Sequence, residues 1–527
     1  MSQAIKPTTP IVGDLELSFG SKLAGLVPVF APLLLALVFI LSRLYIGPKG
    51  LLYEGAMTVL ALISYISAAV ILVTNLFVRE NVLRKLGLWS TALGVAFNFS
   101  GWMMRWIEAG DAEGWKEGIN GIWRYFPLDN LYPLTLGFCF GGAVTTLVII
   151  RKEKYQHLGA LSLPIVTVIL TMAIMLGNHI STLPPILDSY WRPIHVSIAT
   201  IAYGVCLVSF GLAVAYLLRD GVRTEALGIA AALFGLLVFC TIGSSRMPFS
   251  IPTTMEYGPS LMVGQYWTPA RAVLPGVGPL MFVTLLVIAG ALALFVIDWL
   301  RRDAKANRYA WRLLRVAVVA QALVLAALFY QMKRADNLTA HLRPAEMPTL
   351  GEKLVRDQSQ GQIPPNISPQ QFGMIGQQYV QEYAGKFTVS AQSNPVEIGG
   401  LLGLFVALLL VSLFAWKRER VVSALPQLPQ IDALLYRTVG VAFPLLSLLL
   451  ITGAVWANES WGRYWGWDSK EVGALVAWRA YAGFLHTRIA HGWRGRRSAY
   501  FALLGFALVI FTWLGVSYLL PGLHSYA

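Results

Sequence analysis

Long apolar runs are the feature that most limits what this chain can fold into. A transmembrane helix needs about 20 consecutive apolar residues, and the 527 residues contain about thirteen such runs. Only 13% of the residues are charged, whereas soluble domains have about 25%. Because backbone groups in lipid must pair within their own segment, each run is expected to be a helix. The sequence therefore predicts an all-α, polytopic membrane bundle.

The predicted spans alternate with loops, and the loops contain the charge. The thirteen spans are 23–45, 55–77, 86–104, 131–150, 158–178, 193–218, 225–244, 274–299, 312–331, 398–416, 434–456, 473–489 and 498–519. Basic loops follow every even-numbered span, at 79–85, 151–154, 219–223, 301–315, 417–420 and 488–497. Cytoplasmic loops have an excess of Lys and Arg, so one orientation satisfies all six loops, with the N-terminus inside and the C-terminus outside. The first run is too long for a secretory signal peptide and lacks its cleavage site.

Charge and cysteine content exclude two classes of function. The net charge of +14 is explained by the basic loops, and no binding motif accompanies it, so nucleic acid is not an expected partner. Cys139, Cys206 and Cys240 lie in apolar runs and form no C-x-x-C pair. They are therefore expected to be buried apolar side chains rather than a redox relay.

The positions of the seven histidines divide them into two groups. His157 and His491 in cytoplasmic loops and His341 in an outer loop are expected to be solvated, and His179 at the outer end of the fifth span is a minor candidate. The remaining three have stronger positions.

His195 opens the sixth span from the outside, His524 follows the last span on the outside, and His486 lies within the twelfth span toward its cytoplasmic half. An ionisable residue within a span indicates function, and imidazole is a common axial ligand of haem iron. His195 and His524 could hold one iron if their helices meet, whereas His486 lies at another level of the membrane. Spacing alone leaves ordinary interfacial histidines as the alternative.

A tryptophan-rich loop between spans eleven and twelve is the strongest local motif. It reads Trp461-Gly-Arg-Tyr-Trp465-Gly-Trp467-Asp468-Ser-Lys-Glu471. Scattered aromatic residues would indicate a membrane-interface belt, but these are clustered and interleaved with glycines that allow close approach of a flat ligand. Aromatic faces offer a large stacking surface, so the loop favours a platform for a planar macrocycle over a belt.

This loop resembles the tryptophan-rich motif of the haem-handling (WWD) family of cytochrome c biogenesis, in its CcsA type. The likeness continues through 477–497 and through the ending from Gly515 to His524 and Tyr526. A second block, 187–196, resembles the segment with the family's first outer histidine, and a third, weaker block covers 105–132. The family usually has Glu after Tyr132, but this chain has Pro133, so the role of that Glu is not transferred.

The resemblance implies roles for individual residues. His195 and His524 would be the outer axial ligands of haem b, and His486 would receive haem within the membrane. Trp461, Trp465, Trp467 and Asp468 would form the platform that presents the vinyl edge of haem for thioether attachment to a C-x-x-C-H motif of apocytochrome c. The implied activity is that of a cytochrome c haem lyase (synthase) subunit, which transports and binds haem.

The same resemblance implies partners. A CcsB-like membrane subunit would supply the second in-membrane histidine, since no other predicted span has a central histidine. A thioredoxin-like protein would reduce the thiols of the substrate. A bacterial cytoplasmic membrane is the expected location, with a thylakoid membrane as the alternative.

Three regions follow from these blocks. Residues 1–218 are N-terminal helices ending with the first outer-histidine helix, 219–430 are inserted helices with an outer module at 332–397, and 431–527 form the haem-handling core. The insertion separates blocks that relatives hold closer together. Alternative functions are a haem exporter or delivery subunit, a docking scaffold with attachment done by a partner, and an electron-transfer b-type cytochrome.

Overall fold

Helices form at all thirteen positions that the apolar runs predict. The structure is a computed structural model that describes residues 25–113, 115, 122–128, 130–177, 189–243, 257–258, 260–263, 266–334, 342–358, 366–382, 387–389, 391 and 394–516. Its first helices are α1 (Val27–Ile46), α2 (Glu54–Val78), α3 (Asn81–Glu113), α4 (Leu131–Ile150), α5 (Gly159–Leu176) and α6 (Trp191–Arg219). The next helices are α7 (Thr224–Gly243), α8 (Val277–Arg301), α9 (Ala304–Lys333), α10 (Met347–Gln358), α11 (Pro369–Glu382) and α12 (Pro395–Trp416). The last four are α13 (Arg418–Ala424), α14 (Leu428–Trp461), α15 (Ser469–Ala490) and α16 (Arg496–Ile510), which continues as a wider π-helical turn over Phe511–Gly515.

The chain is a multi-pass helical membrane protein, as predicted. Within the described ranges, eleven helices are long and apolar enough to cross a bilayer, and α3 and α15 are the two predicted spans that are not among them. The count of thirteen and the orientation of the bundle stay predictions.

The helix α15 nevertheless runs antiparallel to two membrane helices along its whole length. Near its start, Gly473 meets Thr512 of the π-helical turn, and further along Tyr481 meets Gly505 of α16. On its other side, Trp478 donates a hydrogen bond from Nε1 to Ser447 of α14 (2.9 Å). Because α14 and α16 are both candidate spans, α15 lies alongside the length of two such helices, and its own passage across the membrane stays a prediction.

Two separate clusters of buried apolar side chains hold the helices together. The first joins α2 to α6 with the end of α12 and with α14 to α16. The second joins α7, α8, α9 and most of α12 with the short sheet and α10. The two meet where α12 crosses α5, and a side chain at Gly399 would lie 2.9 Å from Met172. The three-region division of the chain stays a prediction, although the clusters follow similar limits.

A three-stranded antiparallel sheet is an element that hydropathy did not predict. Its order is β2–β1–β3, with β1 at Ser260–Val263, β2 at Tyr266–Arg271 and β3 at Phe387–Thr388. Tyr257 Oη donates to Glu397 (3.0 Å), and Arg271 pairs with the same carboxylate at 3.3 Å. These contacts attach the segment 257–272 to the start of α12. The sheet joins the two longest segments that the basic loops place on one side of the membrane, 245–273 and 332–397.

The prediction for His157 is wrong. Its side chain is 7% exposed, because the 3₁₀ turn Glu153–Leu158 folds it against the ends of neighbouring helices rather than into solvent. Its position in a short basic loop gave no sign of this packing.

Candidate functional site

The tryptophan-rich loop is fixed at both ends by helix termini. Trp461 is the last residue of α14, and Gly462 follows in the left-handed conformation (φ 68°) that favours glycine. Asp468 caps the start of α15, and the Glu471 side chain accepts hydrogen bonds from the backbone N–H groups of Gly466 (2.7 Å) and Asp468 (3.2 Å). This reciprocal capping box holds the loop in one conformation, so Asp468 has a structural role that accounts for its place in the motif.

The loop covers a partly open cavity between the ends of α4, α6, α14 and α15 and the π-helical turn. The lining includes three residues that the sequence predicted for the site, which are His195, Trp461 and Trp465. It also includes Trp456, Trp513, Tyr203, Arg192 and Lys470. The structure thus brings the outer histidine of α6 and the tryptophan loop, some 266 positions apart in sequence, to one site.

His195 is oriented by the backbone of α14. Its Nδ1 lies 3.0 Å from the carbonyl oxygen of Leu449 and 3.3 Å from Oγ1 of Thr452. Since a carbonyl oxygen can only accept, Nδ1 carries the proton and Nε2 carries the lone pair. A hydrogen bond from one ring nitrogen that fixes the tautomer is typical of metal-ligating histidines.

Close packing against α14 keeps this imidazole in place. A Cβ atom at Gly453 would lie 2.7 Å from Cε1 of His195 and 3.1 Å from Nδ1, closer than side chains normally approach. The ring of Trp456 packs on the imidazole with centroids 5.7 Å apart. Glycine at position 453 is therefore what allows His195 to lie flat against the helix.

Two cationic side chains in the wall were not predicted as site residues. Arg192 is 2% exposed, and its guanidinium donates to the carbonyl oxygen of Arg124 at 2.9 Å. Lys470 lies at the first turn of α15, where burial lowers its pKa to about 8 even though Asp468 acts in the opposite direction. Their positions beside His195 and within the tryptophan motif were the only available signals, because both become part of a cavity only through helix packing. Each offers a cation to an anionic group in a cavity whose charged lining also includes Glu471.

Trp467 and Asp468 do not line the cavity. Trp467 is 72% exposed and packs edge to face on Trp465 at 5.8 Å, so it extends the aromatic surface outside the mouth. Their predicted roles in presenting a ligand stay predictions.

His486 lies far from this cavity. It is sixteen residues beyond Lys470 on the same helix, or about 24 Å along the axis at 1.5 Å per residue. Its ring is exposed and lies 5.5 Å from that of His491. The two levels expected from the sequence are therefore present, whereas His524, His179 and His341 lie outside the described residues, so the pairing of His195 with His524 stays a prediction.

The cavity has a volume of about 180 Å³. Ligand pockets for small molecules start at roughly 300 Å³, so a flat macrocycle would fit only with part of its edge in the open mouth. Aromatic walls, one oriented imidazole and two cations are a donor set that suits haem, which combines a planar ring, an iron and carboxylates.

Comparison with known proteins found a matching family and similar proteins. The family model described as "Cytochrome C assembly protein" matches residues 128–330 and 395–524. Among curated proteins, the chain is 56% identical over 96 residues to "Cytochrome c biogenesis protein CcsA" of Mesostigma viride, which is 18% of this chain and 32% of the relative. The protein of the same description from Gloeobacter violaceus is 53% identical over 96 residues, 18% of this chain and 28% of the relative. The chain thus spans about a third of the length of the curated relatives that it matches, and no solved structure matches it.

Proposed function

The chain belongs to the cytochrome c assembly protein family, which gives it a role in cytochrome c maturation, and we propose that within this role it accepts haem b and presents it for covalent attachment to apocytochrome c. The observation that supports this most is the shared cavity of His195, Trp461 and Trp465. An oriented imidazole beside stacking surfaces is what non-covalent haem requires. The substrate would carry a C-x-x-C-H motif, and the product would be a thioether-linked cytochrome.

His195 is proposed to ligate the haem iron through Nε2. The hydrogen bond from Nδ1 to Leu449 raises the basicity of the ring and fixes its direction. His524 is proposed as the second axial ligand from the end of the chain, with the C-x-x-C-H histidine of the substrate replacing one of the two as product leaves.

The tryptophan loop and the cations are proposed to orient the ring. Trp461 and Trp465 would stack on the macrocycle, and Trp467 would border the vinyl edge at the mouth. Arg192 and Lys470 would attract the propionates, which turns the vinyl edge away from them and toward the opening. Such positioning can contribute several kcal/mol to a reaction barrier.

The chemistry then needs little from the protein. Each substrate thiol adds across one vinyl group, so that a sulfur–carbon bond forms and the thiol hydrogen ends on the neighbouring carbon. The thiols must arrive reduced, and the cysteines here are unsuited to reducing them, since Cys139 and Cys206 are buried and Cys240 is half-buried. We therefore propose a thioredoxin-like reductant as a further partner.

His486 is proposed to receive haem before it reaches the outer cavity. It is exposed on α15, and the ring of His491, which follows the helix, lies 5.5 Å from it. A CcsB-like membrane subunit would cover this face and supply the opposing ligand. The proposed location is a bacterial cytoplasmic membrane, with a thylakoid membrane as the alternative.

The test is to purify the full chain with any co-purifying subunit and to record its absorption spectrum before and after His195→Gly. We expect a six-coordinate b-type spectrum from which the variant loses the part contributed by the outer site, and added imidazole should partly restore that part. The same variants would be assayed for covalent cytochrome c in a host without its own attachment system. Wild-type spectrum and attachment in His195→Gly would refute the assignment.

The separation of His486 from the cavity also favours a second function, haem export with attachment by a partner. In that case the chain would bind haem as expected, but covalent cytochrome c would also form in a host where the partner is supplied with haem externally. A docking scaffold would bind no haem in any of these preparations.

A further inference from the structure

Arg479 lies at the middle of α15. It is ten residues after Ser469 and eleven before Ala490 on α15, so about 15 Å separate it from either end of the helix at 1.5 Å per residue. The neighbouring residue Trp478 bonds to Ser447, which lies near the centre of the candidate span α14. Arg479 is therefore at mid-depth, irrespective of which end of the bundle faces outward.

The guanidinium of Arg479 faces outward from the bundle. Its side chain is exposed, and it makes no hydrogen bond or ion pair with any residue in the described part of the chain. Long basic side chains near helix ends can reach the membrane surface, but a residue at the midpoint cannot. An unpaired charge facing lipid at this depth is costly, so the functional assembly must provide an anion here.

His486 shares this face of α15. Seven residues separate it from Arg479, which is two turns or about 10 Å along the axis. Both side chains are exposed, and Ala482 between them is small. The surface formed by Arg479, Ala482 and His486 thus offers an imidazole at one end, a guanidinium at the other and the small side chain of Ala482 between them.

We propose that Arg479 binds a propionate carboxylate of haem whose iron is held by His486, an inference that rests on the function proposed above. The two propionates are the charged edge groups of haem, and in the membrane they require a counter-charge. A guanidinium can receive a carboxylate through two parallel hydrogen bonds and stays charged at any relevant pH. The site therefore selects haem in one orientation, with its propionate edge toward the middle of α15.

The experiment compares haem b with its dimethyl ester, which lacks the carboxylates. Both are titrated into the full chain with any co-purifying subunit in lipid nanodiscs, in a His195→Gly background that removes the outer ligand. Arg479→Gln is expected to weaken haem binding roughly 10- to 100-fold, as for loss of a charge-assisted hydrogen bond, and to leave the affinity of the ester unchanged. Arg479→Lys should retain part of the preference.

Arg308→Gln is the matched control, because Arg308 is also exposed but lies on α9 in the other apolar cluster. It should change neither affinity. Equal losses for haem and ester in Arg479→Gln, or no loss, would overturn the inference. If Arg479→Gln releases the co-purified subunit but leaves the haem affinity unchanged, the inference is also overturned, because the carboxylate that pairs with Arg479 would then belong to a helix of the partner.

A His486→Gly variant separates the two proposals. If it leaves haem binding unchanged, the proposed role of His486 fails. If it weakens binding while Arg479→Gln does not distinguish haem from its ester, only the carboxylate site fails.

Discussion

Replacing Gly453 by Ala tests whether the position of His195 matters for haem. The new Cβ atom would lie 2.7 Å from Cε1 of His195, so the ring must move by about 0.8 Å to reach a normal carbon–carbon contact of about 3.5 Å. The hydrogen bond from Nδ1 to Leu449 is 3.0 Å now, and a shift of that size takes it beyond hydrogen-bonding distance.

The expected magnitude follows from these two effects. Overpacking costs about 1–3 kcal/mol, which is roughly a 5- to 150-fold loss of haem affinity at 1.36 kcal/mol per tenfold change. The same substitution favours the helix itself by about 0.5–1 kcal/mol, so the protein should not unfold. The loss is therefore expected in haem binding and in the six-coordinate spectrum, and the loss of thermal stability should be smaller than the overpacking cost because the helix itself gains from the substitution.

Gly440→Ala is the matched control on the same helix. Nothing lies within 4 Å of a Cβ atom at Gly440, so this variant should bind haem like the wild type and be slightly more stable. Both variants would be measured by haem titration and by thermal unfolding in the same lipid. Wild-type haem affinity in Gly453→Ala would refute the reasoning that the cavity depends on the fixed imidazole.

Three further outcomes follow from the site and its supports. Trp465→Ala should lower the amount of bound haem more than Trp467→Ala does, because, of these two residues, only Trp465 lines the cavity. If the absorption spectra show equal amounts of bound haem in the two variants, the loop is better explained as part of a membrane-interface belt. The folded-state pKa of Lys470 lies near 8, below its ordinary value, so the protein should gain stability as pH rises from 7 to 10. Over the same range its preference for haem over haem dimethyl ester should fall, and both trends should vanish in Lys470→Gln. A pH-independent preference in the wild type would exclude a propionate contact at Lys470. Asp432 accepts two hydrogen bonds from Arg488 (2.9 and 2.6 Å), so Asp432→Asn should lower the free energy of unfolding by about 3 kcal/mol in a denaturation assay. Asp303→Asn, at an exposed helix cap, should lower it little. Equal stabilities of the two variants would show that the pair of Asp432 and Arg488 is not needed.

Hydropathy predicted the membrane helices because a backbone surrounded by lipid must form its hydrogen bonds within its own segment. It was less informative about their ends, since α14 starts at Leu428 and α9 at Ala304, several residues before the apolar runs begin. Charged residues continue those helices beyond the apolar layer, where hydropathy has no signal. The strand β3 pairs with β1 across more than 120 residues, and such non-local pairing of very short strands has no local pattern.

The residues of the site were likewise only partly predictable from the sequence. The resemblance in the tryptophan motif indicated which residues to examine, but the meeting of His195 with Trp461 and Trp465 depends on how α6 packs against α14. Arg192 and Lys470 were not predicted as site residues, because a cation becomes a binding group only when neighbouring side chains enclose it in a cavity. Nothing in the sequence indicated Gly453, because its role depends on the imidazole of His195, which lies on another helix.

The chain leaves the first group of helices after α6 and returns to it at α13, at nearly one point. Arg219, the last residue of α6, donates to the carbonyl oxygen of Val422 (2.5 Å), and Arg418 donates to that of Val222 (3.3 Å). Segments whose ends lie close together can be gained or lost during evolution without disturbing the host, because the gap needs only a short join. The two connections of the second apolar cluster therefore lie side by side, so its sheet and the helices α10 and α11 can vary in sequence while the cavity keeps its form.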